Sequence, residues 1–154
     1  MDLQLDASQY SFQSFGAQFA RVLFDPLLGT VRATHCAAVI DAGKVLNLKT
    51  AKNQIMGGMI FGLGMALMEE TVYDPGRGRI VSRDLANYLV PVHADIPEIE
   101  MQFIDQPDPH ITSIGARGVG EIGITGITAA IANAVYNASG KRIRNLPLTP
   151  DKLL

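Results

Sequence analysis

A chain of 154 residues is long enough to bury one core without disulfide or metal staples, and a net charge of −2 argues against the clustered Lys and Arg that nucleic acid or an anionic membrane requires. The single cysteine, Cys36, excludes an internal disulfide and an iron–sulfur cluster held by this chain alone, which fits a reducing cytoplasm. With 18% charged against 47% hydrophobic residues, a lone domain leaves apolar surface that a partner is expected to cover.

The start, MDLQLDASQ, is polar and acidic, unlike a secretory signal. Residues 17–24 (AQFARVLF) and 31–40 (VRATHCAAVI) have strand character, and DPLLGT between them has turn chemistry, so the two are expected to pair as a hairpin. DAG at 41–43 ends the second strand. The spacing then predicts a helix over 50–71 that is apolar on nearly every side and must be enclosed. Its longest apolar run, IMGGMIFGLGMALM, has 14 residues, short of the ~18 a membrane span needs. Gly57, Gly58, Gly62 and Gly64 each weaken a helix, so their density predicts close backbone packing; Met56, Met59, Met65 and Met68 read as adaptable core filling.

YDPGRGR at 73–79 reads as a turn-rich loop. EIEMQFID at 98–105 alternates Ile99, Met101 and Phe103 with Glu98, Glu100 and Gln102, the pattern of a strand with one wet face. After an irregular stretch, IGITGITAAIANAVYNASG places Ile124, Ile127, Ile131 and Val135 at helical spacing, with Gly140 as the C-terminal cap. No repeat, low-complexity segment or linker interrupts the chain. The elements give an α+β fold in one domain spanning 1–154, with the strand hairpin and further strands packed on two glycine-rich helices.

GVGEIG at 118–123 matches G-x-G-x-x-G, but a dinucleotide site needs a second parallel strand after the helix, and here KRIRNLPLTP follows. His35 and Cys36 are neighbours on a strand and point to opposite faces, so they cannot share an ion. His93 with Asp95, and Asp108 with His110, lie in loops where solvated polar groups are the rule. No metal ligands are assigned to this chain, and no nucleophile elbow is present. Glu121 stands out: within GARGVGEIG it is a lone carboxylate among four glycines, with Arg117 the other charge nearby. One reading is a favourable partner for a helix N-terminus; the other is a base placed where glycines let a ligand approach.

These segments resemble a known family, the molybdenum hydroxylases: the molybdopterin-binding large subunit of xanthine dehydrogenases and aldehyde oxidases. The resemblance runs from FGAQFARVLFDPLLGTVR through NQIMGGMIFGLGMALMEE and NYLVPVHADIPEI to GARGVGEIGITGITAAIANAVYNASGKRIRNLPLTPDKLL, and implies the C-terminal part of that subunit. It implies that Glu121 is the base that takes a proton from the oxygen nucleophile attacking a purine, another heterocycle or an aldehyde. It implies cofactor contact at Gln54, which opens Q-x-x-G-G, and close cofactor approach at Gly118 and Gly120. The chain departs from the family at Leu48, where Pro is common, at Arg117, where Lys is common, and at Arg21, where many members are acidic. Arg117 keeps a positive charge that would favour ionised Glu121.

The resemblance further implies that molybdopterin binds only in a complete assembly, with iron–sulfur and FAD groups in partner subunits. The chain alone should then be inactive, and it should work in a homo- or hetero-oligomer with the remaining molybdopterin-binding segment. The alternative is an inactive remnant or scaffold module that keeps the fold for its interfaces.

Overall fold

The computed structural model describes residues 9–154, so most of the acidic start lies outside the described residues. Strands β1 (Phe15–Asp25) and β2 (Thr30–Asp41) form the expected antiparallel hairpin. Asp25 Oδ1 accepts from the N–H groups of Leu27 and Leu28 at 2.8 and 3.1 Å, which closes the turn. Gly29 completes it at φ +66°, where a side chain would also meet the Pro150 carbonyl at 2.7 Å.

Helix α1 (Leu48–Leu67) begins at Asn47, whose side chain accepts from Thr50 N–H. It carries the chain across so that β5 (Glu98–Phe103) joins β2 in parallel, with His35 opposite Glu98 and Ile40 opposite Phe103. The sheet order is β1-β2-β5. As the alternation requires, Glu98 and Glu100 stay exposed and Phe103 is buried. Between α1 and β5, the turn-rich 73–79 segment folds on itself as two short paired strands, β3 (Tyr73–Asp74) and β4 (Arg79–Ile80).

The second helix is split. Helix α2 (Ile122–Thr125) is a single turn, and α3 (Ile127–Ser139) follows after Gly126, whose added Cβ would lie 3.2 Å from Gln18 Cδ. Gly140 ends α3 at φ 72°, as the cap pattern predicts. A last turn, α4 (Pro150–Leu153), brings Leu153 back to the core.

The core lies on one side of the sheet. Cys36, Ala38 and Ile40 of β2 meet Ile55, Met59 and Leu63 of α1 and Ile127, Ile131 and Val135 of α3, all essentially inaccessible to solvent. Each fully buried Ile or Leu contributes about 1.5–3 kcal/mol. The other face of the sheet is open, with Phe15, Phe19 and Leu23 exposed along β1. This α+β arrangement is the expected one. Two expectations fail, however. Helix α1 is not enclosed by the described residues: Met56, Phe61 and Met65 stay exposed, although α2–α3 cross one side of the helix and Pro91 sits against Gly64. Of its methionines, Met59 alone is core filling.

Two of the helix glycines do what their density predicts. A Cβ on Gly58 would lie 2.9 Å from Gly123 Cα, and one on Gly62 would collide with the Ile127 side chain. Helices α1 and α2–α3 therefore cross backbone to backbone, and Thr128 Oγ1 donates to Gly62 O at 3.0 Å across the crossing.

Candidate functional site

The loop from Ala116 to Glu121 is anchored at both ends. On one side it is tied to the end of β2: Arg117 N–H donates to Ala42 O at 2.8 Å, and Lys44 N–H donates to Gly115 O at 2.8 Å. On the other side Glu121 starts α2, which Gln18 holds by donating from Nε2 to Ile122 O at 2.8 Å. Between these anchors Ser14 Oγ donates to Gly118 O at 2.6 Å, and Gln54 Nε2 donates to Gly120 O at 2.9 Å.

A Cβ added to Gly118 or to Gly120 would meet no atom within 4 Å. Among the described residues no acceptor takes the N–H of Gly118, Val119, Gly120 or Glu121. N–H groups without an acceptor among the described residues, beside two glycines with open space at Cβ, are a surface that an anionic or carbonyl-bearing ligand can approach closely.

Glu121 is exposed on the rim of a cleft of about 630 Å³, bounded also by Ser14, Phe15 and Gln18 of the β1 end. Gln54 lies across the loop in a second cleft of about 390 Å³, with Asn47 and Thr50. Val119 and Gly120 border both clefts. The structure thus places Gly118, Gly120 and Glu121 on one cleft, while Gln54, on α1, borders the other cleft and reaches the loop at Gly120. Gln54 is reached through its own hydrogen bond to the loop, and its amide orients Gly120.

Arg117 corrects an expectation. Its guanidinium is not offered to Glu121: Nη1 donates to Asp108 Oδ2 at 2.7 Å, while Nη2 lies 2.5 Å from Asp41 Oδ1, in ion-pair contact but off the hydrogen-bonding direction. All three side chains are nearly buried. Asp108, read from the sequence as a solvated loop residue, is therefore structural. The His110 backbone N–H, then Arg117, hold its carboxyl below the ordinary range against the opposing effect of desolvation. Glu121 is likewise not enclosed, since no segment among the described residues covers it.

As the strand pattern requires, Cys36 faces the core and His35 the open face. There His35 lies between Glu98 at 3.5 Å and Glu100 at 3.8 Å, a pairing invisible in sequence because it depends on the parallel register. The three groups could meet one cation, yet both carboxylates are solvent-exposed, and exposed acidic groups are common without one. Ser14 and Gln18 are not marked by any local motif, because their partners, Gly118 in the loop and Ile122 at the start of α2, lie 104 residues away.

An α+β module that presents a glycine-rich loop beside a carboxylate has the form of a cofactor-binding domain, and comparison with known proteins gives the kind. Residues 3–97 match the family model of the molybdopterin cofactor-binding domain, and the chain belongs to that family. It is 48% identical over 148 residues to the aldehyde oxidoreductase molybdenum-binding subunit PaoC of Escherichia coli, covering 96% of this chain and 20% of that protein. It is 36% identical over 140 residues to a putative xanthine dehydrogenase molybdenum-binding subunit of the same bacterium, covering 91% of this chain and 18% of that one.

Among solved structures, quinoline 2-oxidoreductase of Pseudomonas putida matches with a TM-score of 0.83 and 31% identity, over 90% of this chain and 18% of that one. The aldehyde oxidoreductase of Desulfovibrio desulfuricans matches with a TM-score of 0.82 and 32% identity, over 92% and 15%. The chain spans about a fifth of these relatives. The family model ends before the Gly118–Glu121 loop, whereas the alignment to the first relative covers it. No helix among the described residues is long and apolar enough to cross a membrane.

Proposed function

We propose that this chain is the C-terminal part of the molybdenum-binding subunit of a hydroxylase, forming one wall of its active site in a single domain and supplying Glu121 as the general base. The observation that carries the reading is the empty space at Gly118 and Gly120 beside Glu121. A Cβ would fill that cradle, so the residues present fit the molybdenum cofactor: the 118–121 loop and Gln54 would hold it. When bound, the cofactor supplies the two-electron oxidation of the substrate.

Hydroxylation replaces a substrate C–H by C–OH with oxygen drawn from water, and two electrons and two protons leave. Glu121 is suited to accept a proton from the oxygen nucleophile at a carboxylate oxygen, because its side chain reaches the cleft with no intramolecular hydrogen bond among the described residues to compete. Gln54 fixes the Gly120 carbonyl and so helps hold the loop in shape beside Glu121. Substrates of the relatives' kind, an aldehyde or an aromatic heterocycle such as a purine, suit this chemistry. The electrons would pass to iron–sulfur and FAD groups in partner subunits, in the cytoplasm.

This chain contributes one wall, so alone it should show neither turnover nor stoichiometric molybdenum. In the complete assembly Glu121→Gln keeps shape and hydrogen bonding but removes basicity, and turnover should fall by ~10²–10⁴-fold with molybdenum content unchanged. Near-full turnover of the loaded variant would assign Glu121 a structural role only.

A further inference from the structure

The helix glycines leave one residue unexplained. Gly58 and Gly62 make room for α2–α3, and Gly64 makes room for the 88–91 segment, since its Cβ would lie 2.9 Å from Pro91 Cδ. Gly57 has no atom within 4 Å of an added Cβ and no left-handed φ. Apart from proline, glycine is the poorest helix former, so nothing among the described residues favours it at that point over alanine.

Gly57 lies in the wall of an apolar groove of about 420 Å³, between Ile60 and Phe61 on α1 and Tyr88, Val90 and Pro91 on the facing segment. The groove is built rather than accidental. Tyr88 Oη donates to Glu69 Oε2 at 2.8 Å, which fixes its floor and ties up the one carboxylate there, and Gly64 lets Pro91 sit against the helix. Phe61, 66% exposed, forms its rim. One turn before Gly57, Gln54 holds the site loop, so the groove and the candidate site share a helix.

We infer that this groove is the seat of an apolar segment from the rest of the molybdenum-binding subunit, whose backbone packs on Gly57. This deepens, and rests on, the reading that the chain works within a larger subunit. The occupant follows from length and chemistry: four-fifths of the Escherichia coli relative has no counterpart in this chain, and the groove offers hydrocarbon, with its carboxylate already paired. A bare Cα in a groove wall admits another backbone at a distance that any side chain would forbid.

The experiment co-expresses the tagged 154-residue chain with the portion of the Escherichia coli aldehyde oxidoreductase subunit that it does not match, and measures co-purified partner and molybdenum. Wild type and Glu121→Gln should capture the partner equally, and Gly57→Leu should capture at least tenfold less. Gly57→Ala alone should melt no lower than wild type, since it fills space empty in this chain, and circular dichroism should show Gly57→Leu folded. Equal capture by Gly57→Leu, failure of wild type to capture the partner, or a Gly57-dependent dimer of the chain by light scattering would each overturn the inference. Capture that depends on Gly57 but brings no molybdenum would leave the inference standing and sink the cofactor reading instead.

Discussion

The helix crossing and the 118–121 loop use the same residue type to opposite ends. At the crossing, Gly58 and Gly123 are held Cα to backbone, and a single methyl would strike protein. In the loop, Gly118 and Gly120 border open clefts, and a methyl would strike nothing. The crossing is complete in this chain and contributes to its stability. The loop is held in shape by Ser14, Gln54 and Arg117, yet among the described residues nothing packs on its two glycines.

The largest effect should come from removing what holds the loop. Arg117→Met removes the shared partner of Asp41 and Asp108, which should lower the urea midpoint more than any other change named here. The pH dependence follows with a definite sign. Because the folded-state value of Asp108 is depressed, the stability it contributes is present above the ordinary carboxylate range and is lost as pH falls through its folded value. Arg117→Met should therefore show a flatter acid-unfolding profile, and a profile as steep as wild type would mean that the His110 N–H, not Arg117, depresses Asp108.

The glycines give a direct contrast. Gly58→Ala should destabilise by about 1–3 kcal/mol through overpacking, while Gly118→Ala should stay within about 0.5 kcal/mol of wild type. Equal losses at both sites would erase the distinction between crossing and loop.

The smallest effect tests how closed the core side is. Burial pushes the Cys36 thiol from 9.0 up to about 11, favouring the neutral form in the folded chain. Stability should be unaffected below the unfolded value and fall as pH rises above it, by about 1 kcal/mol one unit higher. A thiol reagent at pH 8 should leave the native chain unlabelled, and fast labelling would show that the sheet–helix interface opens readily.

What the sequence determined by itself was everything that repeats locally or matches a family pattern. Alternation marked β5, the Asp-Pro and Gly29 chemistry marked the hairpin, Ile127, Ile131 and Val135 marked the buried stripe of α3, and the GARGVGEIG segment marked the loop. Tertiary structure alone decided which partners those groups take. The Arg117 pairing with Asp41 and Asp108, the hold of Ser14 on Gly118 and of Gln18 on Ile122, and the parallel register beside His35 join residues far apart in the chain. Glycine composition likewise foretold close packing along α1, but not that Gly58 would meet backbone while Gly57 met open space. A periodic pattern records which residues avoid water; which atoms they meet depends on how distant segments dock, and that is written in no single stretch of chain.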